Sequence, residues 1–494
     1  MKRSQLVTLM GLLLVAMLLA TPVLAAAPDA DPNPGTGSAD VTVMNTDASS
    51  ASVTAEYYNQ DGTLATTPLT KSLNGLASTQ FTASESGLPD SWKGSMLLSS
   101  TTEVASIATI QWSGNPVGDG IEADSYEGFT TGSPRMNVPF AVYAPNAQYT
   151  VLAIQNTEGV AATINMKYYN RNGVLDFTIA DTIPINGQKT YDLHTPGAKI
   201  PVWANSPYYQ TNNQWTGAVI VETGAPDQKV AVVANNFWPA YSVAYNGSST
   251  GATKLFVPSV ERRLLNGGLV AADQLGFSVI IVQNLGGSAT DLTFKFVNKD
   301  TQNVDQTIVV SNVAAGAAIG CNTRIGAQCN ASQIAALTDT WVGSVVVESS
   351  SQQVAAISYS IRPRDNEAGS TTAVSTANAG SSVFLPEVYR QGADPTWTLW
   401  SLLRLQNVTT SSASVEVRFL NRDGTEVTGA HQSITIPGEK SYNFNLRSGA
   451  GGNTTALGPN WSGAVYITSS QPLAAVVENL WNLSKMAAYN GYTK

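Results

Sequence analysis

Trp215-Thr-Gly217-Ala218, together with the apolar run that follows it to Val221, is the stretch that decides the fold. The same pattern, Trp-x-Gly-small followed by an apolar strand, occurs again at Trp92, Trp341 and Trp461. We expect each tryptophan to pack across the core of a β-sandwich, while the glycine lets a neighbouring strand or the ring itself approach closely. The alternative is that these rings form platforms on which a ligand stacks.

Two asparagines recur in register with the Trp-x-Gly motif. Each copy opens with an alternating apolar strand that ends in Asn, and a second Asn follows fourteen residues later. Asn side chains bond local backbone, so we interpret them as turn formers. Landmarks in the same order four times over indicate a tandem duplication. The first asparagines are Asn45, Asn156, Asn284 and Asn407, and the second are Asn59, Asn170, Asn298 and Asn421.

Each repeat has the strand pattern of an antiparallel sandwich. Short runs of β-branched and aromatic residues alternate with turn signals, and no stretch shows sustained helical periodicity. A unit of roughly 110–130 residues can bury its own core, which favours beads on a string over a solenoid. The sequence predicts an all-β chain of four tandem antiparallel β-sandwich modules, at residues 39–132, 133–251, 252–380 and 381–494.

The junctions between repeats carry a second shared element, an apolar segment that ends in proline. It occurs at Val138-Pro139, Leu255-Phe-Val-Pro258 and Val383-Phe-Leu-Pro386, and none precedes the first module. Proline is tolerated in edge strands, so we interpret each segment as an edge strand. If the segment belongs to the module after it, the first module lacks an edge strand and exposes a sheet edge.

A family resemblance adds to this pattern. The second repeat carries Gln155-Asn156, Tyr168-Tyr169-Asn170 and Ala244-Tyr245-Asn246-Gly247 beside its Trp-x-Gly motif. This arrangement resembles the tandem modules of large secreted surface proteins of Chloroflexota-type bacteria, over nearly the whole mature chain. The resemblance implies immunoglobulin-like extracellular modules and brings no catalytic residues. The third repeat departs most, because it lacks the Tyr-Tyr pair and the Tyr-Asn-Gly sequence.

The N-terminal residues have the pattern of a secretory signal. Lys2 and Arg3 precede an apolar run from Leu6 to Ala20, and small residues before Ala25 suit signal peptidase. An uncleaved anchor is the alternative, although the run is short of the roughly 20 residues that span a bilayer. We expect a signal peptide at 1–25 and a Pro/Asp-rich linker at 26–38. The mature chain would then be secreted to the cell surface without membrane insertion.

Composition narrows the classes of partner. The net charge is -9, and charged residues make up only 12% of the chain. Nucleic-acid binding needs a basic footprint, so this balance argues against it and against electrostatic binding to anionic membranes. With 43% hydrophobic residues and no long charge runs, the chain has the composition of a folded protein.

Few residues in the sequence are candidates for catalysis or for binding a metal or cofactor. Cys321 and Cys329 form a close pair in a Gly-containing loop, which outside the cytoplasm predicts a local disulfide. The two histidines, His194 and His431, occupy non-equivalent places and do not predict a metal site. We find no nucleophile elbow, phosphate loop or dinucleotide fingerprint. The expectation is a non-enzymatic protein without a metal or cofactor.

Two functions remain after these exclusions. The first is a structural protein, a self-assembling subunit of an extracellular filament, sheath or surface layer that associates through β edges. The second is an adhesin or carbohydrate-binding surface protein that uses outward aromatic rings to bind surface glycans. Trp397 and Trp400 are the candidates for that role, because neither belongs to the fourfold pattern.

Overall fold

The computed structural model describes residues 32, 34–114, 121–264, 274–393, 396–482 and 484–494. Strands dominate these residues, and the described strand pairs are antiparallel. Alternation of buried and exposed side chains along the strands explains why the segments fold this way. The all-β class with antiparallel β-sandwich modules is thereby confirmed. The predicted signal peptide, 1–25, lies outside the described residues, as does most of the linker, 26–38.

The first module forms two separate sheets among its described residues. Its strands are β1 Thr36–Asn45, β2 Ala51–Asn59, β3 Leu69–Leu73, β4 Ser78–Phe81, β5 Gly94–Ser100, β6 Val104–Ser113 and β7 Ile121–Glu127. One sheet has the order β4-β1-β6-β7, and the other has the order β3-β2-β5. Along β2, the side chains of Val53, Ala55 and Tyr57 are buried in turn, so this face of the strand covers the core.

The second module joins its strands into one continuous sheet. These elements are β8 Arg135–Ala144, β9 Gln148–Asn156, β10 Ala162–Asn170, β11 Leu175–Ile183, β12 Gln188–Asp192, helix α1 Pro207–Asn212, β13 Trp215–Thr223, β14 Val230–Trp238 and β15 Tyr241–Asn246. The order is β11-β10-β13-β8-β9-β14-β15, and β12 pairs with β9. Helix α1 begins after Ser206, whose side chain accepts a hydrogen bond from the Tyr209 amide.

The third module repeats this strand order. Its elements are β16 Lys254–Leu264, β17 Gln274–Asn284, β18 Thr290–Asn298, β19 Val304–Val313, β20 Ala318–Asn322, helix α2 Ala331–Ala335, β21 Thr340–Ser349, β22 Val354–Arg362, β23 Glu367–Thr372 and β24 Val374–Ser375. The order is β19-β18-β21-β16-β17-β22-β23, with β20 beside β17 and β24 beside β16.

The fourth module follows the same plan with two strands fused. Its elements are β25 Gly380–Gln391, β26 Leu399–Asn407, β27 Ala413–Asn421, β28 Gln432–Ile436, β29 Ser441–Asn445, β30 Asn460–Trp481, β31 Lys485–Asn490 and β32 Tyr492–Thr493. The long β30 pairs with both β25 and β26, so this single strand takes the positions of two strands of the other modules.

Short 3-10 helices occur throughout the described chain, at Ala83–Glu85, Trp203–Asn205, Pro363–Asp365, Thr428–Ala430 and Thr454–Leu457.

The apolar-Pro segments are bridging strands in these modules. β8, β16 and β25 each pair along most of their length with the strand of the Trp-x-Gly motif, and at their ends with β9, β17 or β26. The register shifts where each proline lies, next to Val138, Val257 and Leu385. A bulge accommodates proline because the missing N–H is not needed there. The predicted edge strands therefore connect the two layers of each sandwich.

The first repeated asparagine ties two loops to the core. Asn156 is 1% exposed, and its Nδ2 donates to the carbonyl oxygens of Val160 at 2.7 Å and Pro184 at 3.0 Å. Its Oδ1 accepts from the Glu158 amide at 3.0 Å. The other three first asparagines make matching bonds. The asparagine that was predicted to form a turn is thus buried, and its side chain joins two loops by hydrogen bonds.

The modules contact one another around a closed ring, which differs from the expected beads on a string. Each predicted module meets the next, and the fourth meets the first. Buried polar side chains and shared apolar clusters across the contacts make the arrangement compact. Hydrogen bonds at the successive contacts are Asn246 Nδ2 to Glu127 O (2.8 Å), Asn236 Nδ2 to Tyr359 OH (2.8 Å), Asn490 Nδ2 to Thr372 O (2.7 Å) and Thr109 Oγ1 to Glu387 Oε2 (2.9 Å).

The last long strand of each module lies at the centre of this ring. β7, β15, β23 and β31 pack against one another, each beside its two neighbours. A narrow cleft between them is lined by Glu122, Tyr241, Ala368 and Met486, among others, and it is too narrow for a water molecule.

Among the described residues, none of the helices has the length and apolar character that a membrane-spanning helix needs.

Candidate functional site

The four motif tryptophans lie against the sandwich cores. Trp215, Trp341 and Trp461 are buried, and Trp92 is half-buried. A Cβ on Gly217 would lie 2.0 Å from the Tyr169 carbonyl oxygen, so the glycine permits the close strand approach that the sequence predicted.

Each indole N–H is bonded beside the second repeated asparagine. Trp92 Nε1 donates to Asn59 Oδ1 at 2.9 Å, and Trp461 makes the equivalent bond to Asn421 at 3.2 Å. In the other two modules the acceptor is an aspartate, Asp176 for Trp215 and Asp305 for Trp341, and the asparagine bonds that aspartate instead. These contacts give the tryptophans a structural role that leaves their N–H groups occupied.

The cysteine pair forms a disulfide. Cys321 lies in β20, and Cys329 precedes α2, eight residues further on. Closing so short a loop adds at most about 2–3 kcal/mol of stability. The bond closes a largely buried loop of the third module.

The first module lacks a counterpart of the bridging strand within the described residues. In the second module β13 lies between β10 and β8, and β21 and β30 are flanked in the same way. The equivalent strand β5 pairs only with β2 in the part of the chain that the structure describes. Within the described residues the first module therefore presents an open strand position, which we define as the edge of β5 and the adjoining face of β1.

The core under the open strand position is incompletely covered. Met96 and Leu98 occupy the places of Val219 and Val221, counted from the Trp-x-Gly motif. Both valines have 0% exposed surface, and their counterparts in β21 and β30 are equally buried. Met96 and Leu98 are only partly buried. Their exposure follows from the absence of the side chains that β8 contributes to the second module.

The open strand position continues onto β1. Counted from the repeated asparagine, Ser38 and Ala39 correspond to Tyr149 and Thr150. Tyr149 is 8% exposed and Thr150 is 0% exposed, whereas Ser38 and Ala39 lie in solvent. A groove therefore runs from β5 across to β1, along the path that a bridging strand takes elsewhere.

One polar atom at the contact between the first two modules lacks a partner in the described residues. Counted from Trp112, Trp238, Arg362 and Trp481, the residues Thr109, Asn235, Tyr359 and Glu478 are equivalent. Glu478 bonds Ser259, and Thr109 bonds Glu387, each the residue directly after a bridging-strand proline. Asn235 Oδ1 is buried without a hydrogen-bond partner in the described chain. In the third and fourth modules the matching partner comes from the bridging strand, which the described residues of the first module do not contain.

A buried ion cluster lies where the third and fourth modules meet at the ring centre. Arg362, which is 3% exposed, contacts the carboxylates of Glu261 at 2.8 Å, Glu367 at 3.3 Å and Glu478 at 2.7 Å. Burial works against ionisation of Glu478, but Arg362 and Arg404 outweigh it and hold the pKa of Glu478 below its usual range. The sequence pattern offered one signal, because Arg362 stands where the other repeats have tryptophan.

Three other buried carboxyl groups have a raised pKa instead of a lowered one, namely those of Asp124 and Glu127 in β7 and Glu367 in β23. Burial raises the pKa of Asp124 to about 7, against the effect of the Trp112 N–H, which donates to it at 2.6 Å. Burial likewise raises the pKa of Glu127 to about 7, and burial raises that of Glu367 to about 7 despite Arg362. No sequence pattern marks these residues, because their burial arises only when the modules close on one another.

The remaining candidates are not brought together. His194 stacks on Tyr149 in the second module, and His431 lies between Glu416 and Glu426 in the fourth. The described residues contain no group of three or more His, Cys, Asp or Glu placed to hold a metal ion.

Comparison with solved structures gives similarities at low sequence identity. No protein-family model matches the chain, and no curated protein is similar to it in sequence. Thermotoga maritima protein 1070 is 17% identical, with a TM-score of 0.20, over 24% of this chain and 97% of its own. The Anabaena sensory rhodopsin transducer is 16% identical, with a TM-score of 0.16, over 21% and 88%. A tetra-tandem repeat from the extending region of a large adhesion protein is 12% identical, with a TM-score of 0.11, over 94% and 98%.

Proposed function

We propose that this protein is a secreted structural protein, a subunit that self-assembles into an extracellular filament, sheath or surface layer. The open strand position of the first module carries the proposal. In the described residues, three modules complete their sandwiches with a bridging strand, and the first does not. Among the residues that the structure describes, the ring therefore has one side on which a sheet edge and a partly covered core face outward.

An open sheet edge favours association between chains. Its unpaired N–H and C=O groups form a template for another strand, and natural proteins usually block such edges with charge, proline or a covering loop. β5 carries neither charge nor proline, since its sequence is Gly-Ser-Met-Leu-Leu-Ser-Ser. Leu97 is 41% exposed and lies on the outer face of β5, away from the partly covered core.

The closed ring supports a structural role in a second way. Contacts between all neighbouring modules fix the open strand position on a rigid body instead of a flexible string. A rigid subunit with one directional attachment point is suited to a regular polymer. The N-terminal sequence pattern, which is typical of a signal peptide, supports placing that polymer outside the cell.

The mature chain itself tests this function. Residues 26–494 are purified and followed by light scattering over a range of concentrations, with negative-stain microscopy of the same samples. We expect ordered polymers, and we expect Leu98→Arg to abolish them by placing a charge at the open edge. Leu97→Arg, one residue away on the exposed face, is the matched control and keeps assembly. A wild-type chain that remains a monodisperse monomer at high concentration contradicts the proposal.

The glycan-binding alternative receives no support from the two tryptophans that motivated it. Trp397 is 7% exposed and Trp400 is 4% exposed. The guanidinium of Arg390 lies 5.0 Å from the Trp397 ring centre, and that of Arg447 lies 4.7 Å from the Trp400 ring centre. Neither ring presents a free face for a sugar, so we propose no second function.

A further inference from the structure

We infer that the contact between the fourth and first modules, which we call the closing contact, is a pH-dependent switch that opens more often as the pH rises from mildly acidic to neutral. Short connections, at residues 128–134, 247–253 and 376–379, join the modules at the other three contacts of the ring. The fourth and first modules are not consecutive in the chain, so non-covalent contacts alone hold them together. This inference goes beyond the proposed function, because it concerns opening within one chain.

The first module contributes a carboxyl group to the closing contact. Glu127 of β7 is partly buried against the fourth module, and its Oε1 accepts a hydrogen bond from the backbone amide of Asn490 in β31. Burial raises the pKa of Glu127 to about 7, although the bond from Asn490 acts in the opposite direction. The closed ring therefore favours the neutral form of this carboxyl group.

The fourth module contributes a second carboxyl group from the opposite side. Glu387 of β25 is 3% exposed, and its Oε2 accepts a hydrogen bond from Thr109 Oγ1 of the first module at 2.9 Å. Burial raises the pKa of Glu387, against the hydrogen bonds from Tyr389 and Thr109 and the positive charge of Arg422, while Asp40 adds to the increase. Each module thus presents a carboxyl group to neutral donors of the other.

The strands around β7 form no ion pair with Glu127 in the described part of the chain. β7 packs against β6, β15, β23 and β31. β6 and β15 contain no charged residue. β23 contributes Glu367, which pairs with Arg362 at 3.3 Å, and β31 contributes Lys485, at the opposite end of that strand from Asn490. Proton uptake, and not a neighbouring cation, is therefore what neutralises Glu127.

β7 itself adds two acidic side chains. Glu122 lines the central cleft, and Asp124 accepts a hydrogen bond from the Trp112 N–H at 2.6 Å. Both lie on the opposite face of the strand from Glu127, because successive side chains of a strand alternate. Negative charge on either residue disfavours ionisation of Glu127 and so acts in the same direction as its burial.

A surface ion pair at the closing contact titrates in the opposite sense. Lys494 Nζ lies 2.9 Å from Glu103 Oε2, and the Tyr492 hydroxyl donates to the same carboxylate. The bonds from Tyr492 and Lys494 lower the pKa of Glu103. Glu103 is therefore ionised in both the closed and the open ring above about pH 5, and its contribution is constant from there upward.

Protonation of Glu127 and Glu387 favours the closed ring. In the open ring both groups are exposed to water and have the ordinary carboxyl pKa of about 4. The contribution of Glu127 is therefore full below about pH 4 and is lost as the pH rises to about 7. At the contact of the third and fourth modules Arg362 compensates Glu478, so we expect that contact to hold over the same range. The closed ring remains the main form, and its rate of opening changes.

Two introduced cysteines measure the two contacts separately. The native cysteines form a disulfide, so an introduced thiol reacts alone. Ala105 lies in an apolar cluster with Phe384, between the first and fourth modules, and Ala474 lies in one with Phe256, between the third and fourth. Both alanines have 0% exposed surface, which makes Ala105→Cys and Ala474→Cys a matched pair.

The labelling rate of each thiol reports how often its contact opens. Dithiodipyridine is applied to dilute residues 26–494, and the rate is divided by that of free cysteine at the same pH. We expect this ratio to rise at least about tenfold between pH 5 and pH 8 for Ala105→Cys, and less than about threefold for Ala474→Cys. Adding Glu127→Gln, which keeps an acceptor for Asn490, should reduce the rise several-fold. Adding Glu103→Gln, at the same contact, should leave the pH dependence unchanged.

Several results would overturn the inference. A ratio for Ala105→Cys that is independent of pH, or an equal rise for both thiols, would mean that the closing contact is not the pH-dependent one. A full rise that persists with both Glu127→Gln and Glu387→Gln would assign it to other groups. Hydrogen exchange of the Ser78 amide, which donates to the Arg422 carbonyl oxygen at 2.9 Å, tests the wild type without any variant.

These outcomes are separate from those of the proposed function. Labelling is measured on the dilute monomer, whereas self-assembly is followed by light scattering at high concentration. Polymers that form although the closing contact opens equally at every pH would sustain the proposed function while this inference fails. A monomer that never assembles but shows the expected rise for Ala105→Cys would sustain the inference while self-assembly fails.

Discussion

Arg362 Nη2 donates a hydrogen bond to Glu478 Oε2 at 2.7 Å, and this contact joins β22 of the third module to β30 of the fourth. The same guanidinium bonds Glu261 of its own module at 2.8 Å. All three side chains are nearly inaccessible to solvent, so each charge depends on the others for compensation. The other repeats have tryptophan at this position, and here a buried cluster of charges takes its place.

Replacing Arg362 by methionine should destabilise the protein strongly. The change leaves Glu261 and Glu478 buried without their common cation, which costs about 3–5 kcal/mol of unfolding free energy. Urea denaturation at pH 7, followed by circular dichroism, measures the loss. The control is Arg364→Met, because Arg364 pairs with Asp365 at the surface and contributes less than about 1 kcal/mol. Equal losses for the two variants would contradict a special role of the cluster.

The buried carboxyl of Asp124 predicts a stability that falls as the pH rises. Its pKa is about 7 in the folded chain, because burial raises it from its ordinary value near 4. The folded state therefore binds the proton more tightly than the unfolded state, and the stability that this proton provides is full below about pH 4 and is lost through pH 7.

Asp124→Asn tests this pH dependence, because asparagine retains an acceptor for the Trp112 N–H without titrating. We expect the variant to be more stable than the wild type at pH 8, by about 2–4 kcal/mol, and to lose less stability between pH 4 and pH 8. Part of the pH dependence of the unfolding free energy remains in this variant, since burial raises the pKa of Glu127 as well. Asp227→Asn removes the same charge from the exposed surface and serves as the control. If the unfolding free energy of Asp124→Asn changed with pH as much as that of the wild type, the buried Asp124 carboxyl would not be the source of the pH dependence.

Gly217→Ala should be poorly tolerated for a steric reason. The added Cβ would lie 2.0 Å from the Tyr169 carbonyl oxygen, which forces β10 and β13 apart. We expect a loss of about 1–3 kcal/mol or more, measured as a lower midpoint in thermal or urea unfolding. Gly159→Ala is the matched control, because its Cβ would meet nothing within 4 Å. A control that loses as much as Gly217→Ala would mean that the close approach is unimportant.

The local fold was predictable from sequence because its causes are local. Strand alternation and the Trp-x-Gly spacing are properties of short segments, and Gly217 shows the close approach that the motif required. The open strand position was predictable by counting apolar-Pro segments. Their role as bridging strands was not, because a proline bulge such as that at Pro139 looks like an edge strand in sequence.

The ring and its buried charges could not be predicted from these patterns. Thr109 and Glu387 are far apart in the chain, and no periodicity relates them. The carboxyl of Asp124 is an ordinary surface charge in the sequence until three neighbouring strands enclose it. Arg362 departs from the repeated tryptophan in the sequence, but that departure alone predicts neither the ring nor its centre.

The closed ring predicts that a cross-linking reagent joins the first and fourth modules. Lys494 Nζ lies 2.9 Å from Glu103 Oε2, and the Tyr492 hydroxyl donates to the same carboxylate. A zero-length carbodiimide reagent should therefore join Lys494 to Glu103, detected by mass spectrometry of the digested monomer. Lys71 and Glu85, also 2.9 Å apart within the first module, should be joined in any arrangement of the modules and supply the control.

Small-angle X-ray scattering from the dilute monomer independently distinguishes the closed ring from modules strung end to end. A compact chain of about 470 residues has a radius of gyration of about 23 Å. Modules strung end to end would give a value roughly twice as large, because their centres would lie a full module length apart. We expect the compact value together with the Lys494–Glu103 link. A larger radius, with only the Lys71–Glu85 link formed, would mean that the first and fourth modules do not meet, and the open strand position would then sit on a flexible end rather than on a rigid ring.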